Sequence, residues 1–159
     1  SSWLREISKP QASVLASRNT NMFSYSVRED KASQPFIEGL IHKAAKPGLI
    51  VRSKSELIIA DHLYNAHIDF EYEKLLKENG RQYIPDFSFV DASGDRIIWE
   101  HLGMLDVPAY RQAWDKKKAF YESIGYVEGE NLFTTRDHEN GSFNSQEIID
   151  VIKRIKDLI

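Results

Sequence analysis

The chain reads as a mixed α/β fold, a central sheet of mixed strand direction flanked by helices. Two observations predict it. From Ser53 onward, segments of helical and strand period follow as helix, three strands, helix, strand, helix. The 159 residues, 42% hydrophobic and 28% charged, have an ordinary globular composition and suffice to bury a core without covalent staples.

Residues 1 to about 34 are Ser/Asn/Gln-rich and are assigned no element. Pro35 opens a short helical pattern, Phe36-Ile37-Glu38-Gly39-Leu40-Ile41, closed by Lys46-Pro47-Gly48. These residues, 1–48, are read as a partly helical N-terminal extension ahead of a core at 49–159. Leu49-Ile50-Val51 reads as a short strand, followed by a helix from about Ser53 to Ala66. An extended run, Phe70 to Leu75, ends in a polar turn around Glu78-Asn79-Gly80. Tyr83 to Val90 and Ile97 to Leu102 alternate as strands, joined by the turn-forming Asp91-Ala92-Ser93-Gly94-Asp95. Pro108 to Ile124 is a strong helical pattern with Gly125 just past its end. Leu132 to Thr135 makes a last strand, and Gln146 to Ile159 a last amphipathic helix.

Cysteine is absent. That excludes disulfides, thiolate metal sites and cysteine nucleophiles, and it suits a reducing, cytoplasmic setting. No apolar run approaches the roughly 18 residues of a membrane span, and no signal-peptide pattern opens the chain, so no membrane partner is expected.

Three positions break their own pattern. With the hairpin loop centred on Ser93, Val90 pairs with Arg96, Ser88 with Ile98 and Asp86 with Glu100, all on one sheet face. Opposed like charges roughly 4.5–5.5 Å apart are destabilising. Two such carboxylates on central strands need a cation or a shared proton, and a divalent ion with oxygen ligands is the economical answer. The alternative is an edge strand whose carboxylate points into water. Second, Lys117 falls within an apolar helical stripe of Tyr110, Ala113, Trp114, Phe120, Tyr121 and Ile124. Its ammonium either snorkels outward or finds an anion such as the carboxylate pair. Third, Ser53-Lys54-Ser55-Glu56 has capping-box spacing, yet Glu56 also aligns with Ile59, Ala60 and Leu63 on the packing face. It is either a cap or a third acid directed toward Asp86 and Glu100.

Taken together, the stretch from about Val51 onward resembles the restriction-endonuclease-like PD-(D/E)xK nuclease superfamily. Pro85-Asp86 matches the PD element, Glu100 the acid of the second element, and the element order its αβββαβ core. Leu102 stands where that pattern has its lysine, and Lys117 is placed for the variant in which the lysine moves to the next helix. Trp99-Glu100-His101-Leu102-Gly103, with Lys117 ahead of Tyr121, is similar to a subgroup attached to helicases or mobile-element proteins. The resemblance implies hydrolysis of DNA phosphodiester bonds, with RNA the less favoured substrate. It also implies a helicase or other domain of a larger protein as partner. Mg²⁺ or Mn²⁺ would be held by Asp86, Glu100 and the His101 backbone carbonyl. Lys117 would position a water, and Glu56 would join the metal site by holding a second ion or a metal-bound water. A nuclease fold retained only for binding or docking is the alternative function.

A net charge of −3 is not the footprint of bulk nucleic-acid binding, so positive charge must concentrate locally or be supplied by a partner. Arg52, Lys54, Lys116 and Lys118 are the candidates for a phosphate-contacting rim, against the plainer reading of solvated surface charges. His62 and His67 lack metalloprotease spacing, and the His101 side chain, on the strand face opposite Glu100, is expected to be structural. Glu71 and Glu73 alternate with Phe70 and Tyr72 as a solvent-facing side, with Glu73 an outside candidate for the site. No serine has a nucleophile-elbow context.

Overall fold

The computed structural model describes residues 39–138 and 144–159. In chain order the elements are β1 (His42–Lys43), β2 (Ile50–Val51), α1 (Lys54–Asn65), β3 (Glu71–Tyr72), β4 (Leu76–Glu78), β5 (Arg81–Tyr83), β6 (Phe87–Val90), β7 (Arg96–Leu102), α2 (Pro108–Ser123), β8 (Leu132–Arg136) and α3 (Ser145–Leu158). The described residues form two compact units: 75–84 with 106–125, and 39–74 with 85–105 and the described part of 126–159.

The second unit holds a four-stranded mixed sheet in the order β3-β6-β7-β8. β6 is antiparallel to β3 and β7, whereas β8 runs parallel to β7. Period-two alternation sends Phe87, Phe89, Ile97, Trp99 and Phe133 to one face, where they pack with Ile59, Ala60 and Leu63 of α1 and Ile148, Ile152 and Ile155 of α3. Phe87 is at the centre, with ring centroids of Phe70, Tyr72 and Trp99 at 5.8, 5.5 and 6.1 Å. Each such side chain, fully buried, contributes roughly 1.5–3 kcal/mol. α1 starts where expected because the Ser53 side chain accepts from the Glu56 N–H.

In the other unit, β4 and β5 form a hairpin and α2 buries Phe120 and Tyr121. Tyr83 meets both, at 4.8 and 6.3 Å between centroids. Arg81 lies over Tyr83 and Phe120 and donates to the Tyr83 hydroxyl. α2 has Pro at its first turn and ends ahead of Gly125, at φ 105°.

Four expectations change. The helical pattern at Phe36–Ile41 falls partly outside the described residues, and Gly39, at φ 85°, sits in a turn followed by non-helical Leu40 and Ile41. The expected strand Tyr83–Val90 is two strands, because Pro85 has no N–H to give a ladder. The extended run Phe70–Leu75 keeps only Glu71–Tyr72, since Glu73 turns left-handed at φ 54°. An unforeseen hairpin, β4–β5, follows, turned by Asn79 and Gly80 at φ 51° and 76°. At the start of the core, His42 pairs with Val51 and Lys43 with Ile50, so a hairpin joins residues on both sides of position 48.

Candidate active site

β7, which carries Glu100, and β6, which Asp86 immediately precedes, are the interior strands of the sheet. The ladder runs Val90↔Arg96, Ser88↔Ile98 and Phe87↔Trp99, and one further step brings Asp86 opposite Glu100. Asp86 is 5% and Glu100 3% exposed, so neither is a solvated edge carboxylate. Asp86 is gripped from both neighbouring strands. Its backbone carbonyl accepts from Glu73 N–H at 3.0 Å, and its Oδ2 accepts from His101 N–H at 2.8 Å.

Among the described residues no three His, Asp or Glu side chains gather at metal-ligand spacing. The buried Asp86 and Glu100 are nonetheless hard-oxygen donors. Mg²⁺ commonly takes one or two carboxylates and completes its shell with waters and substrate oxygens. The donor set fits that kind of site rather than an all-protein cage.

Glu56, 9% exposed, has neighbours of its own. Its Oε1 accepts from Arg52 N–H at 3.1 Å, one residue beyond the capping-box position, and from the Tyr72 hydroxyl at 2.7 Å. Arg52 Nε and a second guanidinium nitrogen bind Glu73 at 2.8 and 3.2 Å, a bidentate pair with both side chains largely buried. Burial opposes the Arg52 charge, but Glu73, by charge and hydrogen bond, together with Tyr72 and Glu56, holds the pKa above its ordinary value. Tyr72 is pushed well above its ordinary value of 10.0, first by burial and then by Glu73 and Glu56. Arg52 is therefore engaged by the protein's own carboxylate instead of lining a rim. Glu73 is not a solvent-facing alternate: its left-handed backbone breaks the alternation, while Glu71 remains exposed.

The His101 side chain is buried and has a partner at each ring nitrogen. Its Nδ1 lies 2.8 Å from Thr135 Oγ1, which accepts from Trp99 Nε1 at 3.0 Å. Its Nε2 lies 2.8 Å from Asp137 Oδ1, which accepts from Ser55 Oγ at 2.9 Å. A neutral imidazole protonated on Nε2 satisfies the whole chain, with the Thr135 hydroxyl donating to Nδ1. Serine here meets the aspartate and not the imidazole, so the trio is not a nucleophilic triad.

Lys117 belongs to the other unit. Its Nζ donates to the Ile84 carbonyl at 2.9 Å and lies 6.0 Å from the Tyr121 ring centroid. The ammonium of this half-buried side chain thus has a backbone carbonyl partner within its own unit. Lys116 is exposed and Lys118 half-buried on the same helix; Lys54 is exposed at the start of α1.

Tyr72, Asp137, Thr135 and Ser55 were missed from sequence. Tyr72 carried one usable signal, a hydroxylated aromatic on the buried side of a strand, which requires a hydrogen-bond partner.

No family model and no solved structure matches the chain. It is 30% identical over 129 residues to an uncharacterized protein of Methanocaldococcus jannaschii, an alignment that takes in 77% of this chain and 10% of that protein. The chain thus spans about a tenth of the relative's length.

Proposed function

We propose that this chain is a Mg²⁺- or Mn²⁺-dependent nuclease module of the PD-(D/E)xK type, hydrolysing DNA phosphodiester bonds. The observation that carries the proposal is the buried pair of Asp86, immediately before β6, and Glu100, on β7, where β6 and β7 are the interior strands of a mixed sheet. Two buried carboxylates are hard-oxygen donors of the kind a divalent cation takes. Asp86, Glu100 and the His101 carbonyl would hold it. When bound, the ion supplies charge neutralisation at the phosphate and a water acidic enough to attack near neutral pH.

The remaining roles belong to side chains. Lys117, assigned from the sequence pattern, would orient the attacking water and stabilise charge developing on the phosphate. Glu56, tied to Arg52 N–H and Tyr72, holds the start of α1 and the end of β3 together. From there it would act on an ordered water at the site rather than as a third ligand. Recurrence of this stretch as a tenth of a longer protein supports a module within a larger chain, a helicase-like one on the resemblance drawn above.

Purified chain should nick supercoiled plasmid DNA with Mn²⁺ or Mg²⁺. Asp86→Asn, Glu100→Gln and Lys117→Ala should each lower the rate by at least about a hundredfold while far-ultraviolet circular dichroism is retained. Cleavage that survives Asp86→Asn would sink the proposal. The one other reading is a nuclease fold used only to bind. Wild-type chain that shifts DNA in a gel yet cleaves neither DNA nor RNA with either ion would establish that alternative.

A further inference from the structure

On the nuclease reading given above, we infer that His101 is a positioning residue for Asp86, and that Thr135 and Asp137 act on the site through its imidazole ring. One residue carries two connections. The His101 backbone N–H is the donor to Asp86 Oδ2 at 2.8 Å, so the orientation of the Asp86 carboxylate depends on where the end of β7 sits. The imidazole of the same residue, with its side chain only 4% exposed, is held at both nitrogens by Thr135 and Asp137.

Both holds come from the end of β8, and the second is tied on to α1. Thr135 is the parallel-register partner of His101 on β8. Asp137, just past β8, is tied to the first turn of α1 by Ser55 Oγ, and its N–H donates to the Leu102 carbonyl. The ring therefore has no rotation that keeps its bonds, and the backbone beside it is fixed with it. Packing alone does not demand this. Neighbouring Leu102 is buried without a polar network, and an apolar side chain at position 101 would serve a core as well. The polar chain specifies an orientation, and the atom it orients is the donor to Asp86.

The test compares full-length wild type with Asp137→Leu, Asp137→Asn and Thr135→Val. Three readouts are needed: Mn²⁺ binding followed by electron paramagnetic resonance of the free ion, steady-state plasmid cleavage, and thermal melting. Asp137→Leu and Thr135→Val should raise the Mn²⁺ half-saturation and lower kcat by about 10- to 100-fold, with KM for DNA unchanged. Asp137→Asn keeps an oxygen for the Nε2–H and the Ser55 hydroxyl, so it should stay near wild type. A loss caused by general destabilisation would move melting and KM as well and would not be rescued by Asn. If Asp137→Leu does not fold, Thr135→Val carries the comparison; it also takes the acceptor from Trp99 Nε1–H and so lowers melting, and an unchanged KM for DNA then separates positioning from unfolding. Folded variants with wild-type Mn²⁺ half-saturation overturn the positioning role while leaving the nuclease reading intact. Wild type that neither binds Mn²⁺ nor cleaves overturns both.

Discussion

Tyr72 stands between two carboxylates. Its hydroxyl donates to Glu56 Oε1, and burial, then Glu73 and Glu56, hold its pKa well above 10.0. A group whose folded pKa is raised contributes stability that is complete below the unfolded pKa and is lost as pH climbs toward the folded one. Wild type should therefore lose stability from about pH 10 upward. Tyr72→Phe should cost about 2 kcal/mol at pH 8, where it removes a hydrogen bond to a charged group, and this deficit should shrink above pH 10. Urea midpoints of the two proteins across that range measure the difference, and a constant gap would refute the coupling. Asp86 and Glu100 were legible from sequence because strand alternation and one turn centre define a register. Tyr72 and Asp137 were not, because their partners are chosen across 16, 36 and 82 residues of chain. No local pattern encodes that choice.

Elements were readable where period and punctuation agree. α1, α2 and α3 begin and end within about a residue or two of their sequence signals, as helix boundaries usually do. The segment between α1 and β6 was not, because its strands are two or three residues long and too short to display a period. The β4–β5 arms Lys77, Glu78, Arg81 and Gln82 are also polar, so only the Asn79-Gly80 turn marked the hairpin. That turn supplies an element-scale prediction. Gly80 is at φ 76°, and a Cβ added there meets nothing within 4 Å. Gly80→Ala therefore isolates backbone strain from steric clash, and should destabilise the chain by about 1 kcal/mol in equilibrium urea unfolding. A neutral result would mean that the left-handed turn is not what closes this hairpin.

At the scale of the whole molecule, the net charge of −3 hides an uneven distribution. Among described residues, the unit of 75–84 and 106–125 carries six Lys and Arg against four Asp and Glu. The sheet-bearing unit carries ten against fifteen. Local concentration of positive charge, which an acidic chain needs to meet DNA, thus falls on the unit that contains α2. Arg52, paired with Glu73, belongs to the acidic unit and has its charge matched inside the protein. If Lys116 and Lys118 contact phosphates, each releases counterions on binding. Replacing both by Ala should then lower the slope of log affinity against log salt by about 2. Arg52→Ala should leave that slope unchanged and instead lower the unfolding midpoint, because it removes the bidentate partner of a largely buried carboxylate. Fluorescence anisotropy of a labelled duplex from low to moderate salt, with Ca²⁺ in place of Mg²⁺ to suppress cleavage, separates these outcomes. An unaltered slope in the double lysine variant would remove Lys116 and Lys118 from the DNA path. A reduced slope in Arg52→Ala would mean that the ion pair opens to take phosphate.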